Sequence, residues 1–231
     1  MKQVEKQDAC LVLPKGCVLG PLVLSISLCD KEEKIKDLGL KDSKLLTKKQ
    51  RENLERDIRK HCEVFTYVIT AEELNKLMIR KSLNEIEAMK IGHLINNIYE
   101  KGYEIKKMYV DAPDPKADRF AQRIKKYTNS GIKINDIIAE HKADVKYSIV
   151  SAASIISKIM RDAEIERIKK EVGYDFNSGY CHDKITIDYL RENYKNPKIK
   201  PHIRKRWETY KSCLLYTSDA ADELDGVDIG G

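Results

Sequence analysis

The segment YSIVSAASIISKIMRDAEIERIKKEVG (147–173) is the strongest helical signal in the chain. A long helix has to bury its apolar stripe against other elements, so the rest of the sequence is read for what could lie beneath it. Short β-type runs stand upstream. CVLGPLVLSISL (17–28) is rich in Val, Leu and Ile and reads as a buried strand. EVFTYVIT (63–70), KKMYVDAP (106–113) and a run within IKINDIIAEHKAD (132–144) read as further strands. Helical patterns separate them: 41–62 with Ser43 and Thr47 as candidate caps, 71–102 stopped by Gly102, and 118–131 closed by Gly131. Shorter amphipathic stretches follow at 185–195 and 201–211. This alternation predicts an α/β domain with a central sheet and covering helices. No repeat or low-complexity linker interrupts it, so residues 1–212 are expected to form one domain.

The bulk properties exclude several classes. No run of about 18 apolar residues is present, so no membrane span is expected. The start, MKQVEKQDAC, lacks the apolar centre of a signal peptide, which predicts a cytoplasmic protein. Cysteines stand at 10, 17, 29, 62, 181 and 213 with no Cys-x-x-Cys pair, and free thiols are expected. The net charge is +6, unevenly spread. The tail CLLYTSDAADELDGVDIGG (213–231) holds five acids and no Lys or Arg, so the body before it carries +11. Such a balance suits a polyanion such as nucleic acid. The tail also matches the translation of a common transposon-based sequencing adapter, and is read as non-native or disordered.

Two strand ends supply isolated carboxylates. Asp111 follows YV and precedes Ala112-Pro113, and Asp144 closes AEHKAD. Carboxylates at neighbouring strand ends can share hard divalent cations, whose preferred ligands are oxygens. Taken alone, each could equally be a turn or cap residue.

Four blocks occur in order: LGLKDSKLLTKKQRE (38–52), YVDAP (109–113), AEHKADVKYSIVSAASIISKIMRD (139–162) and NSGYCHD (177–183). Together they resemble the signature blocks of ribonuclease HII. The archaeal branch is nearest, and the eukaryotic ribonuclease H2 catalytic subunit is related. The resemblance covers roughly residues 16–211. It implies a ribonuclease H-like mixed sheet flanked by helices, with a helical C-terminal region. It also implies an endonuclease, dependent on Mg²⁺ or Mn²⁺, that hydrolyses the RNA strand of RNA–DNA hybrids. Such an enzyme nicks 5′ of ribonucleotides embedded in duplex DNA by two-metal-ion catalysis. A sliding clamp is the protein partner the family suggests, and the chain is taken as a monomer.

The resemblance carries over residue by residue. Asp111 and Asp144 match the third and fourth of the family's four metal-binding carboxylates. Lys41, Ser43 and Lys44 match a Lys-Asp-Ser-Lys block near the substrate phosphates. Tyr180 matches the tyrosine that packs on the deoxyribose after the ribonucleotide. Beside it, Cys181 and His182 replace the usual Pro and Ser, while Asp183 is kept. His141 either supports a metal-bound group or is a structural histidine. Lys158 and Arg161 lie three apart on one helix face, turned to nucleic acid or to solvent.

The first family block departs. Asp-Glu-Ala-Gly-Arg-Gly should stand shortly before Leu19-Gly20-Pro21-Leu22-Val23. The equivalent positions are Leu11, Val12, Leu13, Pro14, Lys15 and Gly16. Only Gly16 matches, with Lys15 a basic stand-in for Arg; both are expected at the ribonucleotide's 2′-hydroxyl. One set of codons for Asp-Glu-Ala-Gly-Arg, read one base out of register, spells Met-Lys-Gln-Val-Glu, the first residues here. Residues 1–15 are therefore expected to be misread or disordered. An alternative function follows: a nucleic-acid-binding homologue with impaired catalysis.

Overall fold

Leu22–Cys29 is buried along its whole length, as a strand covered on both faces must be. It is the second strand, β2, of a five-stranded sheet in the computed structural model, which describes residues 6–12, 17–29, 33–40, 46–132 and 136–215. In chain order the elements are β1 (Lys6–Val12), β2, α1 (Glu33–Lys36), α2 (Lys48–His61), β3 (Cys62–Ile69), α3 (Ala71–Leu77) and α4 (Leu83–Glu100). Then come β4 (Glu104–Asp111), α5 (Ala117–Tyr127), β5 (Asp136–Glu140), α6 (Ala143–Lys146), α7 (Ser148–Val172), α8 (Lys184–Asn193), a 3₁₀ turn (Lys200–His202) and α9 (Glu208–Leu215). The sheet order is β3-β2-β1-β4-β5. β1, β2 and β3 pair antiparallel, whereas β1–β4 and β4–β5 are parallel, so the sheet is mixed.

Two compact units emerge, although the composition marks no linker and a single domain over 1–212 was the expectation. The first spans residues 1–14, 22–69 and 80–161 and contains the sheet. Its core under the first half of α7 joins Ile35, Leu40, Ile58, Ile149, Val150, Ala152 and Ile156. The small residues of SAAS (151–154) are all buried, which lets the helix approach closely. The Ser151 hydroxyl donates to the carbonyl of buried Leu40. Helix starts obey their caps: Thr47 and Gln50 form a reciprocal capping box at α2, and Ser82 caps α4.

The second unit comprises 15–21, 70–79 and 162–231. Its core gathers Val18, Leu19, Ile165, Ile168, Phe176, Tyr189 and Ile203. Arg204 is fully buried, its Nε donating to the Gly20 carbonyl at 2.9 Å and an Nη to that of Pro21. Its guanidinium lies 4.9 Å from the Trp207 ring. Gly20 has φ +87°, and a Cβ there would sit 2.7 Å from Ile165 Cδ1.

Three expectations change. The run 17–28 is not one strand: Gly20 and Pro21 break it, β2 begins at Leu22, and residues 17–21 belong to the second unit. Disorder over 1–15 does not hold for Lys6–Val12, which form β1 between β2 and β4. The thiols are not all free. Cys29 and Cys62 face each other in the β2–β3 register, 4.4 Å apart at Cα, and form a disulfide. Among the described residues, Cys17 and Cys181 form no disulfide. Among the described residues no helix is long and apolar enough to cross a membrane.

Candidate active site at the ends of β4 and β5

Strand β4 reads EIKKMYVD with Ile105, Met108 and Val110 buried, and it delivers Asp111 at its C-terminal end. Its parallel neighbour β5 ends in register, with Glu140 opposite Asp111. The Ala112 N–H donates to the Glu140 carbonyl at 2.9 Å and ties the two ends together. The chain then turns sharply. Lys142 adopts φ +56°, a left-handed conformation that non-glycine residues enter at a cost of about 1 kcal/mol. That turn starts α6, where no Lys142 side-chain cap is made. Asp111 takes the role from another strand: its Oδ1 accepts from the Ala143 N–H at 3.1 Å. Asp144, the next residue, is buried, and Asp111 is half-buried.

His141 joins the corner, its Nδ1 lying 3.3 Å from the Ala112 carbonyl. A carbonyl can only accept, so the bond requires a proton on Nδ1. Two hydrogen bonds thus join the β4 end to the turn after β5: His141 to the Ala112 carbonyl, and the Ala143 N–H, one residue before Asp144, to Asp111.

Glu140 was not singled out in the sequence, although it stands directly opposite Asp111. Its carboxylate accepts from Lys146 Nζ at 2.7 Å and from the Tyr147 hydroxyl at 3.0 Å. The Lys146 hydrogen bond holds it below the usual carboxylate range. Both contacts tie the end of β5 to the last turn of α6. The proximity of Glu140 to His141 in the sequence was the one available signal.

Lys158 and Arg161 do not form a solvated helix face. Lys158 is half-buried and Arg161 is buried, and both are engaged in interactions.

Tyr180 belongs to the second unit. It bridges Cys17 in antiparallel fashion and stacks on His182, ring centroids 5.3 Å apart. Val18 N–H donates to the Gly179 carbonyl at 2.9 Å. Gly179, with φ +75°, is required here, because a Cβ would meet the Leu19 carbonyl oxygen at 3.1 Å. Asp183 closes the loop as the α8 N-cap, accepting from the Ile185 N–H at 3.1 Å and the Ser178 N–H at 3.0 Å. Burial opposes ionisation, yet these donors, with the Ser178 hydroxyl, bring the Asp183 carboxyl down to about 2. Cys181 and His182 are accommodated without loss of that cap. Lys15, Gly16, Lys41, Ser43 and Lys44 lie outside the described residues.

Among the described residues no group of three or more His, Cys, Asp or Glu side chains is placed to hold a metal ion. The backbone register bears on this. β1 runs parallel to β4 with Leu11 opposite Val110, so Val12 adjoins Asp111 in position. The strand end beside Asp111 therefore carries Leu and Val in sequence, neither of which has a donor atom.

The sequence model of the ribonuclease HII family matches residues 14–210. The chain belongs to the ribonuclease HII family. It is 39% identical over 205 residues to ribonuclease HII of Archaeoglobus fulgidus, covering 89% of this chain and 95% of that protein. It is 42% identical over 200 residues to ribonuclease HII of Pyrococcus horikoshii, covering 84% and 86%. The solved structure of the PCNA:RNase HII complex from Archaeoglobus fulgidus superimposes with a TM-score of 0.76 at 37% identity, over 89% of this chain and 96% of that one. Bst-RNase HIII in complex with Mn²⁺ matches with a TM-score of 0.77 at 17% identity, over 93% and 71%, and shows the shared fold. The fold is thus ribonuclease H-like, a mixed sheet flanked by helices with a helical C-terminal region. The family match begins two residues after Val12, so the two positions without carboxylates fall just outside it.

Proposed function

We propose that this chain acts on RNA–DNA hybrids and on duplex DNA carrying an embedded ribonucleotide, hydrolysing the strand on the 5′ side of the ribonucleotide, as a monomer in the cytoplasm. The observation that supports this reading is the Asp111–Ala143 hydrogen bond, which ties the end of β4 to the first residue of α6, next in sequence to Asp144. Asp111 and Asp144 are the proposed ligands of Mg²⁺ or Mn²⁺. In a two-ion centre the metals activate water and stabilise the leaving oxygen of the phosphodiester. Around them, this chain's residues bind and orient. Lys41, Ser43 and Lys44 hold phosphates. Lys15 and Gly16 face the 2′-hydroxyl. Tyr180 packs on the deoxyribose that follows and disfavours a second ribose there. His141 braces the corner through Ala112. Lys158 and Arg161, being packed along α7, support the site rather than touch substrate. A sliding clamp is the proposed protein partner, on the precedent of the PCNA complex of the Archaeoglobus relative.

The register of β1 favours a second reading. With Leu11 and Val12 beside Asp111, the residues present supply two of the four carboxylates and do not fit a two-ion centre. The chain would then bind hybrid and leave it uncut. A cleavage assay on a duplex with one embedded ribonucleotide, run beside a binding titration, separates the two. Nicking 5′ of the ribonucleotide supports the first reading and binding without nicking the second. A chain that neither binds nor nicks would exclude both.

A further inference from the structure

The second unit contains a groove that the proposed chemistry does not use. It has a volume of about 400 Å³ and lies between α3 and the segment 197–205. Lys76, Lys200 and Lys205 line it, with Glu72 the one acid on its wall. Lys76 and Lys200 are exposed and Lys205 is half-buried. Among the described residues, none of these three ammonium groups has an acidic partner within ion-pairing distance, whereas Lys169 of α7 and Lys184 of α8 are each paired with one. The floor is fixed. Asn75 donates from Nδ2 to the Ile203 carbonyl at 2.8 Å and accepts at Oδ1 from the Lys205 N–H at 2.8 Å, clamping α3 to the segment opposite. Pro197 and Pro201 stiffen the far wall.

We infer that this groove binds the phosphodiester backbone of a nucleic-acid duplex, as an anchoring contact separate from the residues assigned to cleavage. It rests on the reading that the chain engages nucleic acid. Three lysines on flexible stems are point charges that tolerate variable phosphate spacing, unlike the planar fork of an arginine site. No aromatic ring lines the groove, so nothing there stacks on an exposed base. The contact therefore contributes affinity without sequence or sugar readout. The +11 charge of the body before residue 213 makes a polyanion the fitting occupant.

The test compares the chain with a Lys76→Ala/Lys200→Ala/Lys205→Ala variant and a triple Lys→Arg variant. Each is titrated by fluorescence anisotropy against a labelled DNA duplex and an RNA–DNA hybrid, across a salt series without divalent ions. A phosphate contact predicts that the slope of log K against log salt becomes shallower by about 2–3 in the alanine variant, roughly 0.9 per lost contact, equally for both duplexes. The arginine variant keeps the slope. An unchanged slope, a loss confined to the hybrid, or an original chain that binds neither duplex at low salt overturns the proposal. So does an alanine variant that keeps duplex binding but loses binding to a poly-glutamate peptide, which would make an acidic protein the occupant. Circular dichroism melts check that the variants are folded. Failure to nick, with the slope change intact, counts against the cleavage reading alone.

Discussion

The Ala143 N–H donates to the Asp111 carboxylate across 3.1 Å, so one oxygen of a proposed metal ligand already closes the first turn of α6. Structure and chemistry are separable by substitution. Asp111→Asn keeps an oxygen acceptor for Ala143, and its melting temperature should stay within a degree or two of the parent. Asp111→Ala removes the cap and should lower stability by on the order of 1 kcal/mol. Both should abolish metal-dependent nicking. Denaturation curves read beside the cleavage assay check this; equal stability losses for the two would remove the capping role.

The β1 register yields the sharpest functional prediction. Leu11→Asp/Val12→Glu places carboxylates at the strand end beside Asp111. If each recovers about 1.4–2.8 kcal/mol of transition-state stabilisation, nicking should rise roughly 10²–10⁴-fold. Calorimetry with Mn²⁺ should show tighter binding in the same variant. A double variant that folds and binds hybrid yet nicks no faster would show that the register does not define the missing positions.

Ser151 and Leu40 join α7 to the chain just before the Lys-Asp-Ser-Lys block. Ser151→Ala leaves the buried Leu40 carbonyl without that donor and should cost about 1–2 kcal/mol. Urea unfolding would test this value.

Arg204 should be the most sensitive basic residue of the second unit. Its guanidinium donates to two buried carbonyls, and Arg204→Met deprives both of their partner. The expected loss is about 2–4 kcal/mol, against less than about 0.5 kcal/mol for exposed Arg206→Met. Comparable losses at the two positions would refute this assignment.

Asp183 sets a pH window. Its folded carboxyl lies at about 2, below the ordinary 3.8. A depressed carboxylate stabilises the fold above its unfolded value and loses that contribution as pH falls from near 4 toward 2. The contribution is on the order of 1 kcal/mol, smaller than the full shift implies because the group is partly solvated. Asp183→Asn should flatten the acid limb of the stability profile; a limb of unchanged steepness would sink the claim.

These residues also show what the sequence made legible. Thr47 announces the start of α2 because capping is local, whereas the Ser82 cap, which separates α4 from α3 within the stretch 71–102, went unread. The length of α7 was visible for the same reason: its periodicity is its own. Arg204 was not visible, since IRKRW looks like a basic surface run and its burial depends on Gly20 and Pro21 far upstream. The Cys29–Cys62 bond required the β2–β3 register, which no spacing rule supplies. β1 escaped notice because KQDACLV has neither a continuous apolar run nor clean alternation. Of the candidate site, Asp111 and Asp144 were legible as carboxylates near predicted strand ends, and only the family resemblance turned them into proposed ligands. Glu140 was missed because its partners, Lys146 and Tyr147, lie beyond a turn that only the left-handed Lys142 reveals.

The placement of β1 has a consequence for how the chain is made. Its antiparallel neighbour β2 follows within a few residues, but its parallel neighbour β4 begins only at Glu104. On the ribosome, a three-stranded meander of β1, β2 and β3 can assemble early while one edge of β1 waits, with unpaired N–H and C=O groups, for β4 to emerge. Expression yield should therefore respond to substitutions in β4 that slow its docking, through aggregation of the half-built sheet, even where the finished protein tolerates them.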